Sequence, residues 1–344
     1  MSAGVLARRR ALGPRSALGP RSALGARSAL GRPGPRLALL AAAALAVVVL
    51  YLLTDLPGRW EYALGLRTRT VLGMVIAAAA IGVATVLFQT VTANRILTPG
   101  IMGFDAVFLL MQVVTAFTIG PTLLVTAPPL ASWLAELVLM VGVVVALYSW
   151  LFVRRRLDLH VIVLAGLVLG VLLRSVTGFL QRLLDPDTFA VVQNLTFASF
   201  TSVDRELLLP TGVLVAAAIA SLWPIRRSLD VLALGEATAV SLGVEHRRTV
   251  MHVIVAVAVM VAASTALVGP VAFFGLIVAN VAYTVVGHRH LRSIPAAVAA
   301  GVVALVGGQL VLDRVLGFGT ELPVVIEFAG GVLFLLLVLT GRAR

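Results

Sequence analysis

The sequence predicts an all-α fold: a polytopic membrane helix bundle of about ten transmembrane helices, with both termini on the cytoplasmic side. Three observations predict it. Hydrophobic residues make up 60% of the chain and charged residues only 12%, whereas a soluble domain carries about 25% charge. The apolar residues gather into runs of roughly twenty, which as helices are about 30 Å long and cover the hydrocarbon of a bilayer. Arginine, which supplies all 27 basic residues, is distributed unevenly between the segments joining these runs.

The chain opens with an arginine-rich tail, residues 1–36, in which ALGPRS, ALGPRS, ALGARS and ALGRPG repeat with a period of six. Glycine and proline interrupt every unit, so no helix propagates and the tail is expected to be disordered. Its eight arginines, with no acid among them, either contact anionic lipid or serve only to orient the chain, unless the true start lies further on. The remaining residues, 37–344, form one transmembrane domain. Its spans are expected at 37–56, 70–90, 100–119, 130–153, 159–181, 207–225, 249–268, 271–286, 296–315 and 323–341, the eighth being short and tilted or broken. With the N-terminus inside, twenty arginines fall on the cytoplasmic side and six outside, while Arg174 falls within a span. Basic residues near span ends are retained in the cytoplasm, which fixes the orientation and favours an even number of spans.

Composition also excludes function classes. The net charge of +12 suits nucleic acid in a soluble chain, but here the orientation rule accounts for it, and no nucleic-acid binding is expected. With no cysteine there are no disulfides, thiolate metal sites or thiol nucleophiles. His288 and His290 bracket Arg289 in a basic loop, and His246 and His252 flank another; without a carboxylate cluster beside them no metal site is expected. No HExxH and no serine–histidine–acid constellation is visible, which argues against a membrane hydrolase. The chain also lacks the GxxxxGK[ST] phosphate loop, so no cofactor is expected, and any ATP-driven work must be powered by a separate polypeptide.

The cytosolic loop 226–248, RRSLDVLALGEATAVSLGVEHRR, carries arginine pairs at both ends. Residues 232–242 have helix-forming composition, and the SLGV turn supplies a glycine stop. A short helix held in the cytosol between two spans offers a docking surface. Polar residues within the spans come next. Gly166 and Gly170 form a GxxxG that permits close helix approach, for packing inside the bundle or for a dimer face. Glu136, Arg174, Gln309, Asp313, Arg314 and Glu327 lie in or near spans, where a central charge costs about 2.5–3.5 kcal/mol on insertion scales. Each should therefore face a cavity, a partner or the interface; Arg174 and Glu327 are the deepest. A secondary carrier would align buried acids as an ion route, and here they are few and scattered.

Between the second and third spans runs FQTVTANRILTPGIMGFDAVFLL, where Gln89, Asn94 and Asp105 stand near the cytoplasmic face and Pro99-Gly100 stops a helix. Read alone, it is a tight turn with satisfied polar side chains. In order, RTRTVLGMVIAAAAIGVATVLFQTVTANRILTPGIMGFD resembles the permease family of iron-chelate (siderophore) and cobalamin ABC importers. Arg67 and Arg69 match the two arginines that open the family's second span, Gln89 its glutamine, Asn94 its asparagine and Pro99-Gly100 the end of its motif. The variant NRILTP resembles the branch of siderophore permeases that work beside a second, different permease. LGEATAVSLGV is similar to the family's coupling segment, with Leu234, Gly235, Glu236, Ala237, Leu242 and Gly243 in place. Gly269, Phe274, Gly275, Leu276, Gly287, His290 and Pro295 fit as well, as do Glu321-Leu322-Pro323. The chain departs from the family in having Ala279-Asn280 for its Pro-His, Asn94-Arg95 for its Asn-Pro, and no proline around Gly330–Gly331.

The resemblance implies a type II ABC importer permease, a transporter subunit and not an enzyme, multi-pass in the bacterial plasma membrane and importing a ferric siderophore. Its implied partners are a cytoplasmic ABC ATPase dimer docked on the loop, a second permease subunit in a hetero- or homodimer, an extracytoplasmic substrate-binding protein and membrane lipid. Candidate pathway or gating residues are Gln89, Asn94, Pro99, Gly100, Arg174, Asn280 and Glu327. The alternatives are a secondary carrier, or a permease for another chelate such as cobalamin or haem.

Overall fold

The computed structural model describes residues 33–54, 60–150, 159–316 and 321–339, and every regular element among them is a helix. In chain order these are α1 (Pro33–Leu53), α2 (Trp60–Val91), a 3-10 turn (Pro99–Met102), α3 (Phe104–Thr118), α4 (Pro121–Thr126), α5 (Pro129–Tyr148) and α6 (Leu159–Gln181). They continue as α7 (Pro186–Thr196), α8 (Arg205–Ser221), α9 (Arg226–Leu232), α10 (Glu236–Ser241), α11 (His246–Val268), α12 (Phe274–Val286) and α13 (His290–Val311). A π turn (Leu312–Leu316) and α14 (Leu322–Leu339) complete the order.

Seven helices, α1, α2, α5, α6, α11, α13 and α14, are long and apolar enough to cross a membrane alone. The sixth expected span is α8, which turns through 69° into α9, while α3 and α12 are apolar but short, at 15 and 13 residues. At about 1.5 Å per residue neither reaches across 30 Å of hydrocarbon. Each is extended by irregular backbone, α3 by the 3-10 turn at its start and α12 by the segment from Gly269 to Phe273. Such backbone survives at membrane depth only where protein or a cavity surrounds it. Of the arginine-rich tail, residues 1–32 lie outside the described residues, and Pro33–Arg36 already form the first turn of α1, where proline needs no amide partner.

α2 is the axis of the bundle. It runs for 32 residues, is largely buried, and packs on α13, α11, α12 and α8. Its sequence allows this because the contact face is made of small residues. A Cβ added at Gly301 of α13 would lie 3.0 Å from Ala78 Cβ, and one at Gly82 would lie 3.4 Å from the Ala297 backbone. Where lipid is as apolar as leucine, close backbone approach and dispersion contacts hold helices together, and small residues supply them. The outer helices α1, α5, α6 and α14 instead expose most of their apolar side chains. The GxxxG of α6 packs inside the chain: a Cβ at Gly103, which has φ +94°, would meet Gly170 Cα at 3.3 Å. Gly103 thus joins the 3-10 turn to α3 in a conformation that favours glycine, pressed on a second glycine.

Outside the cytosolic loop, two helices were not expected from the sequence. One is the short α4. The other, α7, starts at Pro186 after Asp185, whose carboxylate accepts the Thr188 amide at 2.9 Å and is held below the usual carboxylate range by that bond.

Candidate functional site

The cytosolic loop folds as two short helices where the sequence suggested one across 232–242. The break falls at Gly235, whose φ of +94° ends α9 and starts α10, and Gly243 closes α10 at φ +82°. Nothing lies within 4 Å of a Cβ built at either position, so conformation and not crowding demands glycine there. Leu229, Leu232 and Ala239 are buried and anchor the pair to the bundle. Leu234, Val240 and Leu242 are each more than half exposed, and Glu236 and Ala237 stand out beside them. The result is an exposed apolar surface carried on buried anchors.

Asp230 of α9 ties this loop to the bundle. Its Oδ1 accepts the backbone amide of His290 at 3.0 Å and the ring Nδ1 at 2.6 Å. Burial works against ionising Asp230, but these two bonds outweigh it, with the His290 and Arg289 charges adding to them, and hold its carboxyl below the usual range. The other ring nitrogen of His290, Nε2, lies 2.7 Å from Thr90 Oγ1 at the end of α2.

The α2–α3 connection is a chain of local bonds. Gln89 is buried and donates from Nε2 to the Arg95 carbonyl at 2.6 Å, while the Asn94 amide returns to the Gln89 carbonyl at 3.2 Å. Asn94 Oδ1 accepts the Ile96 amide at 3.0 Å, an Asx turn. The loop delivers Pro99 and Gly100 to a cavity of about 410 Å³ that Asp105, Arg174, Thr85 and Phe273 also line. A Cβ at Gly100 would stand 2.9 Å from Asp105 Oδ2, so glycine leaves room for the carboxylate. Phe273 adopts φ +56°, sparsely populated for an aromatic residue, and its ring lies 6.1 Å from that of Phe334 on α14.

Of the residues expected on a pathway, the structure therefore gathers Pro99, Gly100 and Arg174 around one cavity. Glu327 is exposed on α14, and its charge and that of Arg174 both act on Asp105. Gln89 and Asn94 shape the loop without lining the cavity. Asn280 bonds the Leu276 carbonyl of its own helix at 2.8 Å and stands apart from it. Thr85 and Phe273 are among the other lining residues, and nothing in the sequence marked them.

On the extracytoplasmic side, Arg67 and Arg314 converge on the Thr54 carbonyl at the end of α1, Arg314 at 2.7 Å. Two cations thus serve the unpaired carbonyls and the negative end of that helix dipole. Gln309 donates to Asp313 at 2.8 Å beside them. Glu136 is buried and accepts Gln112 Nε2 at 2.9 Å, at the wall of a second cavity of about 470 Å³ between α3, α5 and the end of α11.

Comparison with known proteins adds four findings. The model of the FecCD transport family matches residues 46–340. The chain is 37% identical over 305 residues to the petrobactin import system permease protein YclO of Bacillus subtilis, spanning 88% of this chain and 96% of that protein. It is 32% identical over 281 residues to the petrobactin import system permease protein FatC of Bacillus anthracis, spanning 80% and 78% of the two. A solved chain, described as an inward-facing conformation of a metal-chelate type ABC transporter, superposes with a TM-score of 0.78 at 19% identity, covering 89% of this chain and 99% of that one. At that identity the likeness is one of fold.

Proposed function

The chain belongs to the FecCD transport family, and from that premise we propose that it is the membrane-spanning permease subunit of an ATP-driven importer of ferric siderophores. It is a transporter subunit and not an enzyme. A separate cytoplasmic ATPase dimer binds the α9–α10 surface, an extracytoplasmic binding protein delivers the chelate, and a second permease, different in sequence, faces this one across the pathway in the plasma membrane of a bacterium. The observation that carries this reading is the α9–α10 loop: apolar side chains held outward on a support anchored by Leu229, Leu232 and Ala239. Exposed apolar surface of that kind, outside the bilayer, fits a protein partner.

The geometry of the cavity and the loop supports the following reading of the transport step. The cavity beside Pro99 and Gly100 is walled on one side by Leu167, Gly170, Val171 and Arg174 of α6, a helix with an exposed apolar face, and there a second permease completes its wall. Closure and reopening of the ATPases shift the pair between outward- and inward-opening states through the loop. The chelate carries its own iron ligands, so the protein needs none. Leu234, Gly235, Glu236, Ala237, Leu242 and Gly243 form the ATPase contact.

The test is reconstitution of the permease pair with its ATPase and binding protein in lipid vesicles, followed by uptake of radiolabelled ferric petrobactin, haem and cobalamin. ATP-dependent uptake of the siderophore alone is expected. Uptake driven by a proton or sodium gradient without ATP would replace this reading with a secondary carrier, and uptake of haem or cobalamin instead would change the cargo.

A further inference from the structure

We propose that Asp230, His290 and Thr90 form a hydrogen-bonded relay that carries movement of the ATPase-docking loop to the α2–α3 turn lining the pathway. The inference rests on the docking role assigned above to α9 and α10, and adds the residues that transmit the load.

The three residues come from three elements: Asp230 from α9, His290 from the first position of α13 and Thr90 from the last turn of α2. Asp230 accepts both the amide and the ring Nδ1 of His290, at 3.0 and 2.6 Å. The first amide of a helix has no partner within the helix, and a carboxylate that accepts it also meets the positive end of the helix dipole. Here the cap is supplied from the loop, so α9 cannot shift without either carrying the α13 terminus or uncapping it. The His290 side chain is 4% exposed, against 39% for Asp230, so the chain of bonds runs from the cytosolic surface inward.

The third member follows from counting protons. With Nδ1 donating to Asp230, Nε2 of a neutral ring accepts from the Thr90 hydroxyl. If the ring is charged, Nε2 donates to Thr90 Oγ1, and the hydroxyl proton goes to the Val86 carbonyl at 2.8 Å. The chain is unbroken in both states, so the device is mechanical and not a pH switch. Beyond Thr90 the path is short. Gln89, the preceding residue, holds the Arg95 carbonyl at 2.6 Å, and the loop it pins ends at Pro99 and Gly100 on the cavity wall. The apolar anchors Leu229 and Leu232 fix α9 against the bundle but let it slide; the directional bonds do not.

The experiment uses the complete transporter in vesicles, with three readouts: co-purification of the ATPase, the rate of ATP hydrolysis, and chelate imported per ATP. Asp230→Ala and Thr90→Val should each retain the ATPase and hydrolyse ATP, while chelate imported per ATP falls about tenfold. Thr90→Ser, which keeps the hydroxyl, should restore it, and the double variant should be no worse than either single one. Normal import per ATP in both single variants, or losses that add in the double variant, would overturn the relay. Failure of the unsubstituted permease to bind the ATPase would instead sink the docking assignment itself, so the two failures are told apart.

Discussion

Thr85 and Gly275 oppose each other across the α2–α12 contact so closely that a Cβ at position 275 would lie 2.0 Å from Thr85 Oγ1. No real Cβ sits there, and the obstructing atom belongs to a β-branched side chain with few rotamers to escape into. Both residues also line the cavity. Gly275→Ala should therefore destabilise the permease by about 1–3 kcal/mol, the usual cost of overpacking. The melting temperature of the purified protein in detergent measures it. Thr85→Ala in the same chain should recover part of the loss, and an unchanged melting temperature for Gly275→Ala alone would refute the contact.

The docking loop separates two roles that a single substitution usually confuses. Leu242 is exposed, whereas Leu229 on α9 is buried. Leu242→Arg should leave expression and melting temperature unchanged while weakening ATPase binding by roughly 2 kcal/mol, the threshold of an interface hot spot. Leu229→Ala should instead lower the melting temperature, since a buried leucine cut to alanine costs about 2–5 kcal/mol. Equal effects of the two on ATPase pull-down and on melting would show that the surface is not divided in this way.

The sequence made the bundle legible and left its meeting points obscure, for physical reasons. Span length is set by bilayer thickness, and arginine bias by orientation, so ten segments and a cytosolic loop could be read from position alone. α7 was missed because its residues, PDTFAVVQNLT, are too polar for a span, and its start is marked only by the Asp185 cap. The loop was expected as one helix because Gly235 reads equally as a close-packing residue or as a turn; only its φ of +94° decides. Pairing between spans is harder still. Asp230 and His290 are sixty positions apart, and no periodicity reports that they touch. In the cavity, Arg174 and Pro99-Gly100 announced themselves as a charge and a helix stop in apolar surroundings. Thr85 and Phe273 gave no such sign, the first an ordinary helix residue and the second distinguished only by a backbone angle.

His288 gives a pH prediction with a definite sign. His288 is exposed at the surface, but partial desolvation by its neighbours, and then the charge of Arg95, hold its imidazole below the usual histidine range, and its ring lies 4.9 Å from that of Tyr283. In the unfolded chain it takes a proton near pH 6.5, about the reference value. Below that pH the unfolded state binds the proton first, so folded stability falls as the pH drops through this window. The melting temperature should decline slightly as the pH falls below about 6.5, and His288→Asn should flatten part of that decline. Parallel curves for the two proteins would remove His288 as the cause.

Arg174 decides whether the cavity reads charge. It shares the lining with Asp105, while Glu327 on α14 adds a second negative charge to the same surroundings. Removing the arginine leaves the two acids without it in a span, where a central charge costs about 2.5–3.5 kcal/mol on insertion scales. Arg174→Met should therefore lower both the amount of folded permease in the membrane and the rate of ferric siderophore uptake. Neutralising the acid as well separates these effects. In the double variant Arg174→Met, Asp105→Asn, the balance inside the cavity returns without either charge, so membrane levels should recover. Uptake per folded transporter should stay about tenfold below the parent, a coupling of roughly 1.4 kcal/mol, if the guanidinium meets the chelate as it passes. Quantitative immunoblotting and vesicle uptake measure the two quantities on the same preparations. Full recovery of both in the double variant would mean that Arg174 only balances Asp105, and the cavity would lose its claim to sense the charge of its cargo.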